Sequence, residues 1–157
     1  MTLEFDPAIL GREFDRTEYA PVTEREMVDF ARALGETEPA FLDPAVGARR
    51  SSGFVAVPTF CLKFRSRRFY PPDMPRLSRS GFDAGKDVEF GVPIRPGDRI
   101  TVSATLDELY EKTGRSGSMV FVVIRFTMTN QRGEVVALVD NRFAHRGLAP
   151  EAPEGGP

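Results

Sequence analysis

One cysteine and one histidine stand in the 157 residues of this chain. A lone Cys61 excludes an intramolecular disulfide and suits a reducing cytoplasm, the location expected here. With His145 as the only imidazole, a Cys/His zinc site lacks its ligands, and no metal is expected. Lysine is scarce: Lys63, Lys86 and Lys112 are the only three, and arginine carries the rest of the basic charge. Neither sign of charge dominates. The formal net charge of -2 gives no field that argues for nucleic acid. No apolar run approaches the ~20 residues that span a bilayer. The first ten residues carry Glu4 and Asp6 and no basic start, so no signal peptide is expected. No repeat of fixed period is visible.

What remains is an ordinary globular composition, 41% hydrophobic and 28% charged, at a length suited to one domain with its own core. Asp6-Pro7 reads as a cap and first-turn proline of a short helix ending near Gly11. Phe14 to Val22 reads as one strand. Thr23 to Glu26 forms a capping box, and Met27, Phe30, Ala31 and Leu34 follow at helical spacing until Gly35. Asp43-Pro44 opens a second short helix through about Arg50, and Ser51 to Val57 reads as a loop. A third helix is expected from Pro58 to about Tyr70, stopped by Pro71-Pro72. Four long strands then follow, at Lys86 to Ile94, Arg99 to Lys112, Ser118 to Asn130 and Glu134 to Arg146. The links between them are short and rich in turn residues, which implies an antiparallel meander. Val120, Val122, Ile124, Phe126 and Met128 make one face of the third of these strands wholly apolar. The other face begins with Met119, Phe121 and Val123, and this apolar end hints at burial against a second subunit. The order describes an α+β design, an antiparallel sheet wrapped around a central helix. The domain is expected over residues 1–146, with a disordered Pro/Gly/Glu-rich tail over 147–157.

Several motifs arrive in the order of a known family. Gly35 to Ala48 resembles the G-D-x-N-P-x-H-x-D hydratase motif of the MaoC-like hot-dog dehydratases, with Glu36, Glu38 and Phe41 where that motif has Asp, Asn and His. Val22-Thr23 and the Phe30-to-Gly35 helix resemble its V-T-x-x-x-I-x-x-F-A-x-A-x-G segment. Val57 to Phe60 resembles the A-P-P-T-F that starts its central helix. Phe90 to Asp98 is similar to F-x-x-P-x-x-x-G-D, and Asn130 to Glu134 to the N-x-x-G-E hairpin. Together these cover roughly Val22 to Arg146 and resemble the FAS1-type dehydratase N-terminal domain. The resemblance implies a single hot-dog domain, a thioester of CoA or acyl carrier protein as substrate, no cofactor, and a dimer with itself or with a second hot-dog chain.

In the family the Asp and His are the catalytic pair that hydrates enoyl thioesters or dehydrates (R)-3-hydroxyacyl thioesters. That chemistry needs a base and an acid, with amide donors for the enolate-like oxygen. Glu36 is the one candidate base, a methylene longer than Asp; a solvated acid past a helix end is its other reading. Phe41 exchanges no protons and is read as core or as the wall of an acyl tunnel. Pro58, Thr59 and Phe60 stand where the resemblance places the amide donors, and an ordinary helix start explains them equally. Phe54, Phe60 and Phe64 are candidate walls of an acyl pocket. Arg67 and Arg68, within a basic middle that includes Arg49, Arg50 and Arg65, are candidates for a phosphate-bearing mouth or a solvated face. His145 lies far along the chain from the motif and reads first as a hydrogen-bonded strand-end residue. Asp43 before Pro44 reads first as a cap.

The altered motif makes the chain similar to the non-catalytic subunits of mycobacterial (3R)-hydroxyacyl-carrier-protein dehydratases. The leading expectation is therefore a substrate-binding and stabilising subunit whose catalytic Asp and His come from a partner. The alternatives are a self-sufficient homodimeric hydratase or thioesterase using Glu36, and a non-enzymatic acyl-thioester binding module.

Overall fold

The computed structural model describes residues 3–115, 117–146 and 148. Two capping residues set the first elements. The Asp6 side chain accepts from the Ala8 amide and opens a 3-10 turn, Pro7–Ile9. The expected capping box is formed: Thr23 accepts from the Glu26 amide while the Glu26 carboxylate accepts from that of Thr23. It starts helix α1, Glu24–Ala33, whose Met27, Val28 and Ala31 are buried. Two one-turn helices follow, α2 (Pro39–Leu42) and α3 (Pro44–Gly47). Both begin with proline behind an acidic cap, where the missing amide costs nothing. The sequence reading did not separate α2.

Five strands form one antiparallel sheet: β1 (Glu13–Glu18), β2 (Gly81–Phe90), β3 (Thr101–Gly114), β4 (Gly117–Thr129) and β5 (Val135–His145), in the order β1-β3-β4-β5-β2. β3, β4 and β5 form the expected meander. β2 lies five residues earlier than its own pattern indicates, because its partner extends it. Gly81 to Asp83 pair with His145 to Phe143, and a bulge passes through Gly85, whose φ of 110° suits glycine. The strand ends where Gly91 meets β5. A Cβ there would lie 2.0 Å from the Val135 carbonyl oxygen.

The expected apolar face of β4 is buried throughout, with Val120, Val122 and Ile124 at 0% exposure. It joins Val102, Ala104 and Leu106 of β3 and Ala137 and Val139 of β5, and α1 and Phe60, Cys61 and Phe64 pack onto it. On the opposite face, Phe121 stacks on Tyr110 at 5.2 Å, and the Lys112 ammonium sits 5.2 Å from the Tyr110 ring. The chain thus covers part of that apolar end itself.

The helix expected from Pro58 to Tyr70 is a 3-10 helix of six residues, Pro58–Lys63. Tertiary hydrogen bonds take the amides that a longer helix needs. The Tyr19 hydroxyl accepts from the Arg65 amide at 2.9 Å and donates to its carbonyl at 2.7 Å. The Arg67 amide donates to Asp15 at 2.9 Å. β1 therefore strips the chain out of helical geometry. Among the described residues no helix is long and apolar enough to cross a membrane. Of the expected 147–157 tail, Leu148 bridges to Leu77 and the remainder lies outside the described residues.

Candidate functional site

The altered motif folds as a chain of caps. α1 ends at Gly35, and the Glu36 carboxylate turns back to accept from the amides of Thr37 at 2.8 Å and Glu38 at 2.9 Å. These two amides, Glu38 first, hold its carboxyl below the usual range. Glu38 caps α2 and pairs with Arg50 at 3.0 Å. Asp43 caps α3 through the Ala45 amide at 2.8 Å. The conserved shape of the motif in this chain is thus a shape of helix ends.

Phe41 is half-buried, with the Arg50 guanidinium 5.3 Å from its ring centre. It forms one wall of a cavity of about 140 Å³. Pro58 and Cys61 of the 3-10 helix, Phe90 at the end of β2, Val92 and Val136 line it as well. None of the twelve lining residues is an acid or a histidine, and Cys61 is the one ionisable group. Burial pushes its thiol pKa up, which leaves it protonated and a poor nucleophile.

The remaining candidates separate in space. Phe54 and Phe60 are core residues, 8% and 0% exposed, and do not line this cavity. Thr59 is exposed, and the Phe60 amide is spent within the 3-10 turn on the Val57 carbonyl at 2.9 Å. The expected pair of free amides therefore loses a member, because a 3-10 helix commits its third amide. Phe64 lies on a second cavity beyond the turn. Arg67 and Arg68 are exposed, and Arg67 is tied by its backbone to β1.

His145 sits at the end of β5 with Nε2 2.9 Å from the Tyr70 hydroxyl and Nδ1 2.9 Å from the Ser78 carbonyl. A carbonyl only accepts, so Nδ1 carries the proton and Nε2 accepts from Tyr70. The imidazole pins the segment before β2 to β5 and makes no bond to the motif acids. Sequence reasoning missed two features: the Cys61 lining of the first cavity, and Asn141, a polar residue on the apolar face of β5. The second carried a signal, since strand alternation places Asn141 between Val139 and Phe143.

The chain matches the family model described as "FAS1-like, dehydratase domain region" over residues 8–139. It is 29% identical over 164 residues to a UPF0336 protein of Saccharopolyspora erythraea, covering 98% of both chains. Its fold superposes on a MaoC-like dehydratase from Rhodospirillum rubrum with a TM-score of 0.65, at 23% identity over 90% of this chain and 94% of that one. It also superposes on a chain of the C-terminally truncated HadBC (3R-hydroxyacyl-ACP dehydratase) complex from Mycobacterium tuberculosis. The TM-score there is 0.61, at 20% identity over 88% of this chain and 99% of that one. At such identities the two structures show the shared fold. The family match spans most of the chain, and the protein belongs to the FAS1-like dehydratase domain region family, with the hot-dog fold of the MaoC-like dehydratases.

Proposed function

We propose that this chain is the substrate-binding and stabilising half of a (3R)-hydroxyacyl-thioester dehydratase or enoyl-thioester hydratase, whose catalytic Asp and His are supplied by a second hot-dog chain. One observation carries the reading. The cavity at the altered motif is walled by Phe41 where the family's histidine stands and holds no acid, while the Glu36 carboxylate is folded onto its own loop. Addition of water across an enoyl thioester needs a base and an acid at the reacting carbons. A cavity that offers neither can still hold an acyl chain. The reaction is proton transfer and needs no cofactor. Acyl-CoA or acyl carrier protein as the thioester carrier, and the free Cys61 thiol, fit a cytoplasmic setting.

The geometry of β2 supports a partner. It is an edge strand, nearly all of it is exposed, and Phe82 and Phe90 are 56% and 50% exposed. Both main cavities border it, the first through Phe90 and the second through Asp83 and Lys86. A hot-dog chain laid along this edge would cover both mouths, and the likeness to the HadBC complex supports such a partner.

The test is hydration of crotonyl-CoA by the purified chain alone and mixed with the hot-dog protein encoded beside it. The expected result is turnover only in the mixture. Robust turnover by the chain alone overturns the proposal. Glu36→Gln in that case decides whether Glu36 is the base. Thioester binding without turnover in either preparation favours a binding module.

A further inference from the structure

The second cavity, of about 220 Å³, lies across the Pro58–Lys63 turn from the first and shares no lining residue with it. Phe126, Met128 and Phe143 form its floor on the inner face of β4 and β5, and Phe64 and Phe69 form its walls. Its single enclosed polar feature is Asn141. The Asn141 Oδ1 has no hydrogen-bond partner, the only enclosed side-chain oxygen or nitrogen among the described residues in that state. An amide oxygen removed from water and left unpaired is costly. A valine or isoleucine at this position would complete the apolar wall with no stranded acceptor.

A single bridging water does not account for the site. Water held inside a protein needs two to four polar partners, and a cavity on the order of 10–15 Å³ is enough for one. This cavity is far larger, and its interior offers one acceptor among aromatic and methionine side chains. The occupant that matches is mostly apolar and brings its own donor. We infer that the second cavity is a binding site for an aliphatic molecule bearing a hydroxyl group, with the chain packed among Phe64, Phe69, Phe126 and Phe143 and the hydroxyl donating to Asn141 Oδ1. The site lies within this chain alone, so it does not depend on the catalytic partner proposed above.

The test uses two isomers of equal size, 1-octanol and heptyl methyl ether, which differ in having or lacking a donor. The full chain is labelled at its methionine methyls and titrated with each, and the Met128 signal reports the cavity. Octanol is expected to shift Met128 saturably and to bind about tenfold more tightly than the ether, the ratio expected for one neutral hydrogen bond to a buried acceptor. In Asn141→Leu the two isomers are expected to bind about equally, with ether binding retained. The absence of a saturable Met128 shift overturns the inference. So do equal affinities in the unmodified chain, a comparison that needs no variant, and a preference for octanol that survives in Asn141→Leu.

Discussion

Glu36 shows how a residue keeps its charge and loses its reach. Its carboxylate is pinned by the Thr37 and Glu38 amides, which stabilise the ionised form and weaken it as a base. Glu26 uses its charge differently. Its carboxyl is held below the usual range first by the Lys63 ammonium at 2.6 Å and then by the Thr23 amide, so it ties α1 to the 3-10 helix. A carboxyl more acidic in the folded than in the unfolded chain stabilises the fold above its unfolded pKa. That contribution is lost as pH falls through the folded value. Glu26→Gln should therefore lower the urea midpoint at neutral pH and leave it nearly unchanged at the acid end of the carboxylate range. An equal loss at both ends would show that its ionic bonds contribute nothing.

At the scale of elements, two motif blocks that look like functional signatures prove to be a structural lock. Asp98, 2% exposed, closes the turn before β3 by accepting from the Arg95 amide, and it reaches Gln131 and Arg132 in the β4–β5 hairpin. Asn130 holds that hairpin by accepting from the amides of Arg132 and Glu134. Asp98→Ala strands several donors and should cost about 2–3 kcal/mol by urea unfolding. Gly91 is as constrained, and Gly91→Ala should cost at least ~2 kcal/mol by the same measurement, because the Val135 carbonyl occupies the space. Tyr19→Phe tests what ends the 3-10 helix. It removes both hydroxyl bonds to Arg65 and should cost about 1–2 kcal/mol, with faster hydrogen exchange at the Arg65 amide. Unchanged exchange there would mean that something else holds the segment out of a helix.

For the whole molecule, the open question is what lies along β2. Phe82→Glu with Phe90→Glu changes two exposed side chains of that edge and leaves the buried face of β4 intact. The pair should weaken association with the hot-dog partner by about tenfold or more in sedimentation, with the melting temperature of the isolated chain little changed. Association of unchanged strength would place the partner elsewhere. The α+β class, the meander and the buried face of β4 were legible in the sequence, because two-residue alternation and short turns are local properties. The helix at Pro58 was legible only in its start. What shortens it is a hydroxyl more than forty residues earlier, which no local pattern encodes.

The sequence by itself determined the caps, the strand pairing order along the meander and the family, since each depends on residue types at short and regular spacing. It also determined that the histidine position of the motif holds Phe41, which cannot carry a proton. Only the tertiary structure decided that Glu36 turns onto its own loop, that the Phe60 amide is spent, and that Phe41, Pro58 and Cys61 share one cavity while Phe64 and Asn141 share another. Those facts follow from where the sheet brings distant segments together, and from which amides and cavity walls remain once packing has taken its share.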